Sequence, residues 1–209
     1  MKVNKADEFY KILERKAIYP VFQPIVNLQT GRVSGYEALS RIDRSSTTLM
    51  ISDLFVIAEQ LGCVWKLEKL CRNKALKAAV EKPEKVKLFL NVDGNIIQDK
   101  AFIQGFTNRK AMKAGVPASD IVFEITERSD IENYQILQQI MKHYADQGYE
   151  IALDDVGAGH SGLNRNGSID NTKKMVLEGL SEALHVSVEW LKGETDAVSY
   201  THLRLIACF

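Results

Sequence analysis

The sequence has no excess of charge of either sign. Its 27 Lys and Arg residues balance its 27 Asp and Glu residues, so the formal net charge is +0. Proteins that bind nucleic acids or anionic membrane surfaces usually carry a basic patch, and this balance gives no support for one. We therefore expect no nucleic-acid partner.

Cysteines are few and long apolar runs are missing. The three cysteines lack the spacing of a metal site, and we expect Cys63 and Cys71 to be reduced packing residues. No segment approaches the roughly 18 consecutive apolar residues that a membrane-spanning helix needs. The N-terminus is polar and has no apolar stretch typical of a secretory signal. We accordingly expect a cytoplasmic protein without a membrane segment.

The chain does contain an alternation of short apolar runs and helical patterns as far as Leu163. Extended apolar runs predict strands at residues 21–28, 32–42, 86–92, 121–126 and 150–156. Apolar residues at helical spacing predict helices at residues 7–17, 65–81 and 98–114, one capped by Ser52, and one running from Ser129 or Asp130 to Gly148. The first two strands form a hairpin, and the later ones alternate with helices, which predicts parallel strands buried on both faces. The fold class is α/β, an incomplete TIM-like barrel.

Four of the apolar runs carry an oxygen ligand at or near their ends, namely Glu37, Asn91, Glu124 and the pair Asp154-Asp155. Each is ordinary by itself, because a Glu beside a strand is usually solvated and an Asn after a strand is usually a turn residue. Their recurrence is informative, since an α/β barrel assembles one site from strand ends at one rim. Hard oxygen ligands favour Mg²⁺ or Mn²⁺ over zinc. The series predicts a metal-dependent enzyme.

Four ordered motifs surround these residues. They are Phe22-Gln23-Pro24-Ile25-Val26 leading to Tyr36-Glu37-Ala38-Leu39 and Arg41; Leu90-Asn91-Val92; Phe123-Glu124-Ile125-Thr126-Glu127; and Leu153-Asp154-Asp155-Val156-Gly157-Ala158-Gly159 continuing to Leu163. Together they resemble the EAL-domain family of cyclic di-GMP phosphodiesterases over residues 8–164. The resemblance implies a modified (β/α)₈ barrel with its ligands at the C-terminal rim.

The resemblance also implies a role for each matching residue. Glu37, Asn91, Glu124 and Asp154 would be metal ligands, and Asp155 would bridge or complete a second metal site. Glu37, Asp154 and Asp155 would be the catalytic residues. Two Mg²⁺ or Mn²⁺ ions about 4 Å apart can activate a water and stabilise an in-line phosphodiester displacement. The implied reaction is the hydrolysis of cyclic di-GMP, a bacterial signalling molecule, to linear pGpG.

Three further residues match positions with other functions in the family. Gln23 and Arg41 would contact the substrate, with the planar guanidinium of Arg41 binding a phosphate. Glu127 would anchor the loop that follows Asp155. In the family that loop couples metal binding to dimer contacts, so the resemblance implies a homodimer through it.

The pattern changes after Asn164. The family continues with an apolar strand that bears a Lys, then a metal-binding Glu and a Gln-bearing strand, and residues 165–209 match none of these. Residues 165–196 resemble the C-terminal helices of a phage-repressor-type helix-turn-helix domain, or are an ordinary pair of amphipathic helices. Residues 197–209 resemble a translated sequencing-adapter tail and are expected to be unstructured. We expect a chimeric chain with an EAL segment at residues 1–164 that is truncated.

Two functional hypotheses stay open. The matching ligands favour a phosphodiesterase, although the departure after Asn164 predicts little or no activity for the chain as it stands. The alternative is a catalytically silent cyclic di-GMP-binding regulatory module. A DNA-binding regulator would rest on residues 165–196 alone, and the helix that would enter the major groove is not there.

Overall fold

A computed structural model of the chain describes residues 5–27, 31–43, 45, 47–94, 96–126, 134–154 and 205–207, and of residues 126, 134, 135, 137, 153, 154 and 205–207 the backbone alone. Its elements in chain order are α1 (Lys5–Arg15), β1 (Ile18–Val26), β2 (Val33–Ile42), α2 (Ile51–Gln60), α3 (Val64–Ala78), β3 (Lys87–Val92), α4 (Phe106–Ala114), β4 (Ile121–Thr126), α5 (Tyr134–Ala145), β5 (Glu150–Asp154) and β6 (Leu205–Ala207). Within these described residues, no helix is long and apolar enough to cross a membrane.

The described strands form one sheet in the order β1-β2-β3-β4-β5-β6. β1 and β2 are an antiparallel hairpin, β2 to β5 run parallel, and β6 is antiparallel to β5. Helices connect each pair of parallel strands, because a parallel neighbour can be reached only by a long crossover. The predicted α/β architecture, with a hairpin followed by parallel strands, is confirmed.

The parallel strands are apolar on both faces because both faces are covered. On β3, Leu88, Leu90 and Val92 pack in the main core with the helices. Phe89 lies on the opposite face and packs with Val122 of β4 and with the neighbouring strands. This second face carries the candidate site described below.

A second core lies beneath α1 and α2. Phe9 and Leu54 are completely buried there, and Leu67 of α3 packs against the same cluster. Trp65 of α3 belongs instead to the main core behind the sheet. Helix α3 therefore contributes side chains to both cores and joins them.

The helix predicted for residues 98–114 is wrong in its first half. A short 3-10 turn occupies Ile96–Gln98, and α4 begins only at Phe106. The carboxylate of Asp99 accepts hydrogen bonds from the backbone N–H groups of Trp65 at 3.0 Å and Ala101 at 2.8 Å. Such side-chain bonds compete with helix formation, and Gly105 then adopts a left-handed conformation with φ of 66°.

Two predicted element boundaries also differ. Ser52 does not cap α2: the helix begins at Ile51, and the N–H of Met50 donates to Asp53 Oδ2 at 2.7 Å. The first strand begins at Ile18 rather than at residue 21, because Ile18 already pairs with Ile42 across the hairpin. The first residues of α2 and β1 therefore depend on one or two contacts that a local sequence pattern does not contain.

The C-terminal region departs from expectation in one place. We expected residues 197–209 to be unstructured, but Leu205–Ala207 forms β6, with Ile151 of β5 opposite Ala207. That prediction is wrong for these three residues. The predicted helical segment 165–196 and the rest of the tail lie outside the described residues.

Candidate functional site

The backbone register places five of the predicted site residues on adjacent strands. Gln23 of β1 lies directly opposite Glu37 of β2. Asn91 of β3 lies directly opposite Glu124 of β4. Asp154 is the last residue of β5 and pairs with Thr126. Because parallel strands end at one edge of a sheet, this region is the C-terminal rim that the motifs predict.

The candidate ligands lie next to an apolar patch on the same face of the sheet. Glu37 is the register partner of Phe89, and Phe89 shares its face of β3 with Asn91 because side chains alternate along a strand. Val122 and Glu124 share a face of β4 for the same reason. Phe89 and Val122 pack together, so the polar groups lie beside a surface that excludes water. Electrostatic interactions are stronger in such a setting than in bulk water.

One side-chain hydrogen bond joins two of the candidate ligands. Asn91 Nδ2 donates to Glu37 Oε1 at 2.9 Å. The side chain of Glu37 is buried, with 6% exposure, whereas Asn91 is exposed. The bond uses the amino group of the Asn91 amide, which makes the carbonyl oxygen of that amide the atom suited to bind a cation.

Glu124 is the most deeply buried carboxylate of the rim, with 0% exposure. Buried carboxylates persist in proteins when they are paired, hydrogen-bonded or bound to a metal. Glu37, Asn91 and Glu124 offer only oxygen atoms, and this donor set fits Mg²⁺ or Mn²⁺. Both ions accept carboxylate and amide oxygens together.

The described side chains do not form a complete metal cage. Among them, no group of three or more Asp, Glu, His or Cys residues is placed to hold a metal ion. Glu37 and Glu124 are the predicted carboxylate ligands whose side chains the structure describes, and Asp154 is described through its backbone alone. Asp155 and Glu127 lie outside the described residues, so their predicted roles stay predictions.

Arg41 lines a pocket of about 200 Å³ beside the rim. The pocket also contains Asn91, so Arg41 and one candidate ligand open into the same space. Arg41 is exposed, and its Nη1 donates to the backbone oxygen of Ser40 at 2.9 Å. Gln23 is exposed as well but lies opposite Glu37 on the hairpin. A guanidinium at a pocket mouth can bind a phosphate through its remaining donors.

The same pocket is lined by a buried charged pair that motif analysis missed, Glu68 and Arg72 of α3. Glu68 Oε1 accepts a hydrogen bond from the backbone N–H of Asp93 at 2.6 Å, and its other oxygen contacts Arg72. Arg72 Nη1 donates to Thr107 Oγ1 at 3.1 Å and to Tyr144 Oη at 3.0 Å. These bonds connect α3 to α4, to α5 and to the end of β3.

Burial raises the pKa of two groups that line this pocket, Glu68 and Cys71. It raises the pKa of Glu68 to about 7, against the opposing effects of the Arg72 charge and the hydrogen bond from Asp93. It also raises the pKa of the Cys71 thiol to about 11. A thiol with so high a pKa is protonated at neutral pH and a poor nucleophile. Cys71 and Cys63 are both free thiols.

A signal for the charged pair is present in the sequence. Glu68 and Arg72 are four residues apart, and they fall in the same helical stripe as the buried residues Trp65 and Ala75. Charged residues inside an apolar stripe are rarely buried unless they are paired. Reading the helix for buried charges, as well as for apolar periodicity, would have identified them.

The sequence is similar to one family model and to several curated proteins. A family model described as the EAL domain matches residues 6–172. PdeG of Escherichia coli (strain K12), a probable cyclic di-GMP phosphodiesterase, is 28% identical over 177 residues, which is 77% of this chain and 33% of PdeG. The chain spans between 17% and 44% of the length of curated relatives of this kind.

Solved structures share the fold. The FimX EAL domain from Pseudomonas aeruginosa bound to c-di-GMP has a TM-score of 0.63 at 18% identity, covering 87% of this chain and 81% of that one. The manganese/cy-diGMP complex of Klebsiella pneumoniae BlrP1 at pH 9.0 has a TM-score of 0.59 at 21% identity, covering 85% and 52%. At these identities the likeness establishes the architecture, an incomplete α/β barrel.

Proposed function

The chain belongs to the EAL domain family, and from that premise we propose that its rim is built for the metal-dependent hydrolysis of cyclic di-GMP to linear pGpG. The observation that carries the proposal is the meeting of Glu37, Asn91 and Glu124 on three adjacent parallel strands, with Asn91 bonded to Glu37. Relatives named as probable cyclic di-GMP phosphodiesterases support the substrate.

Five residues would hold the metal in this proposal: Glu37, Asn91, Glu124, Asp154 and Asp155. Their oxygen atoms fit Mg²⁺ or Mn²⁺, and a manganese complex among the structural neighbours supports the choice of ion. When bound, such ions lower the pKa of a water and offset negative charge on the phosphodiester. Glu37, Asp154 and Asp155 would be the catalytic carboxylates.

The other residues of the site would bind and orient the substrate. Arg41, at the mouth of the pocket that also contains Asn91, would bind a phosphate oxygen. Gln23, opposite Glu37, would contact the substrate from the hairpin side. The apolar patch that includes Phe89 excludes water from one side of the site. Asn91 keeps the carboxylate of Glu37 in place through its hydrogen bond.

A second candidate function is a cyclic di-GMP-binding module without catalysis. The observation that favours it is the departure of the sequence from the family pattern after Asn164, since the sequence there contains no apolar run that bears a Lys at the position the family uses. Binding through Arg41 and Gln23 needs no such strand. The two functions therefore differ in turnover and not in ligand.

The test uses the purified 209-residue chain with Mn²⁺ and cyclic di-GMP, with pGpG measured by chromatography. Formation of pGpG that Glu37→Ala abolishes and Glu59→Ala preserves supports the phosphodiesterase, because Glu59 is exposed on α2 away from the rim. Binding of cyclic di-GMP without pGpG supports the silent module. A chain that neither binds nor cleaves cyclic di-GMP contradicts both.

We also propose a cytoplasmic location and a homodimer formed through the loop after Asp155. The location is supported by the free thiols Cys63 and Cys71, which are typical of a reducing compartment. Sedimentation velocity over a range of protein concentrations tests the dimer. A species that stays monomeric at every concentration would contradict it.

A further inference from the structure

We propose that Glu68, on a helix outside the sheet, is a positioning residue that holds Asn91 in the candidate metal site through the backbone that follows it. The inference rests on the proposed function, because the role of Asn91 as a metal ligand is part of that function. Glu68 lies outside the four motifs that contain the candidate site residues.

The first contact fixes the end of β3. Glu68 Oε1 accepts the N–H of Asp93 at 2.6 Å. Asp93 is the first residue after β3, and the ladder between β3 and β4 ends one residue earlier, at Val92 and Ile125. A backbone N–H beyond the ladder needs another acceptor. The carboxylate of Glu68 provides it two residues from Asn91.

The second set of contacts fixes Glu68 itself. Its side chain is almost fully buried and bonded to Arg72, which is buried to a similar degree. Arg72 binds Thr107 and Tyr144, and its guanidinium lies 5.1 Å from the ring centre of Phe123 on β4. The acceptor of the Asp93 N–H is therefore held by two other helices and by the strand that carries Glu124.

A purely stabilising role does not account for this arrangement. Burying a charged pair costs desolvation energy that the attraction between the charges often only balances, so apolar residues of similar volume stabilise a protein as well. What apolar residues cannot supply is an acceptor for Asp93. We therefore expect the position of Asn91, whose side chain donates to Glu37 at 2.9 Å, to depend on Glu68. The stability of the chain should depend on Glu68 less strongly.

The experiment compares the wild-type chain with Glu68→Met/Arg72→Met, which removes the pair without leaving one buried charge alone. Tyr144→Phe is the matched control, because it removes a partner of Arg72 and leaves the bond between Glu68 and Asp93 in place. Three quantities are measured: the NMR resonances of the Asn91 side-chain amide, identified by their loss in Asn91→Asp; the exchange rate of the Asp93 amide; and the dissociation constant of Mn²⁺ from a paramagnetic resonance titration.

We expect the double variant to shift the Asn91 resonances, to speed exchange at Asp93 and to raise the Mn²⁺ dissociation constant about 10- to 100-fold, the range for residues that orient metal ligands. Tyr144→Phe should leave all three near their wild-type values. Glu68→Gln keeps an acceptor oxygen, so it should retain most of the Mn²⁺ affinity of the wild-type chain.

Glu68→Asp keeps the charge beside Arg72 but is one methylene too short to reach Asp93, so it provides the same test if the double variant does not fold. Unchanged Asn91 resonances and Mn²⁺ affinity in these variants would overturn the proposal, as would an equal change in Tyr144→Phe. A wild-type chain that binds no Mn²⁺ would contradict the proposed function instead. The Asn91 resonances would then still decide whether Glu68 positions that side chain.

Discussion

The titration of Glu68 should make the stability of the chain depend on pH near neutrality. Its pKa is raised from 4.5 to about 7 by burial, so the folded chain binds this proton more tightly than the unfolded chain. The stabilisation is fully present below the unfolded pKa and is lost as pH rises through the folded pKa. Relative to Glu68→Gln, wild type should lose on the order of 1 to 3 kcal/mol of unfolding free energy between about pH 5 and about pH 8.

Urea denaturation of both proteins at several pH values measures this difference. Glu59→Gln, a change at an exposed carboxylate on α2, is the control and should parallel wild type. If wild type and Glu68→Gln show the same pH dependence, Glu68 does not titrate in this range. The buried pair would then stay ionised throughout.

The two described cysteines should differ in reactivity. Burial raises the pKa of the Cys71 thiol to about 11, and it raises the pKa of the less buried Cys63 in the same direction. Because the thiolate is the nucleophile, we expect iodoacetamide to alkylate Cys71 at least about tenfold more slowly than Cys63 near pH 8. Peptide mass mapping over time measures both rates. The rates should converge in urea, and equal rates in the folded chain would contradict the raised pKa of the Cys71 thiol.

At the scale of elements, the close approach of β2 and β3 requires Gly35. A Cβ at this position would lie 2.4 Å from Phe89 Cε2 and 3.1 Å from the backbone oxygen of Lys87. We expect Gly35→Ala to lower the free energy of unfolding by about 1 to 3 kcal/mol, because neither the ring nor the strand can move away freely. Urea denaturation measures the loss.

A double-mutant cycle with Phe89→Leu separates this clash from a general loss of strand stability. The smaller side chain makes room for the new methyl group, so Gly35→Ala should cost less in the Phe89→Leu background. Purely additive effects would show that the ring does not limit the approach of the strands.

The element scale also shows where local patterns fail. The apolar spacing of residues 98–114 is helical, yet the segment after residue 98 stays irregular until Phe106. Asp99 bonds the N–H of Trp65, a residue 34 positions away in sequence, and a local pattern contains no information about that contact. Strand β4 begins and ends where its apolar run predicts, at Ile121–Thr126, because parallel neighbours bury the whole run.

For the whole molecule, the shared helix α3 predicts one cooperative unfolding transition. Leu54 lies in the core beneath α1 and α2, Trp65 lies in the main core, and α3 contributes to both. The chain has two tryptophans, so Trp190→Phe leaves Trp65 as the single tryptophan that reports unfolding by fluorescence. Leu54→Ala in that background should destabilise the chain by about 2 to 5 kcal/mol and shift the fluorescence transition of Trp65 equally.

Far-UV circular dichroism should report the same midpoint as the fluorescence of Trp65. Val56→Ala is the control, since Val56 is 52% exposed on the same helix as Leu54 and should change stability by less than about 0.5 kcal/mol. If Leu54→Ala leaves the midpoint of the Trp65 fluorescence transition unchanged, the two cores unfold independently. Helix α3 would then not couple them.

The sequence by itself determined the order of elements, the hairpin, the parallel pairing and the family. It did so because apolar periodicity is local and because motifs around Glu37, Asn91 and Glu124 are contiguous in the chain. It did not identify Glu68 and Arg72, whose partners Asp93 and Tyr144 lie 25 and 72 positions away in sequence.

Tertiary structure alone decided which of these residues touch. The bond from Asn91 to Glu37 spans 54 positions in sequence, and it exists because the register of β2 on β3 brings the two side chains to one face. The acceptor for Asp93 exists because α3 docks behind that rim. Periodicity specifies which face a side chain occupies; sheet register and helix docking specify what it meets there, and both depend on burying the whole core at once.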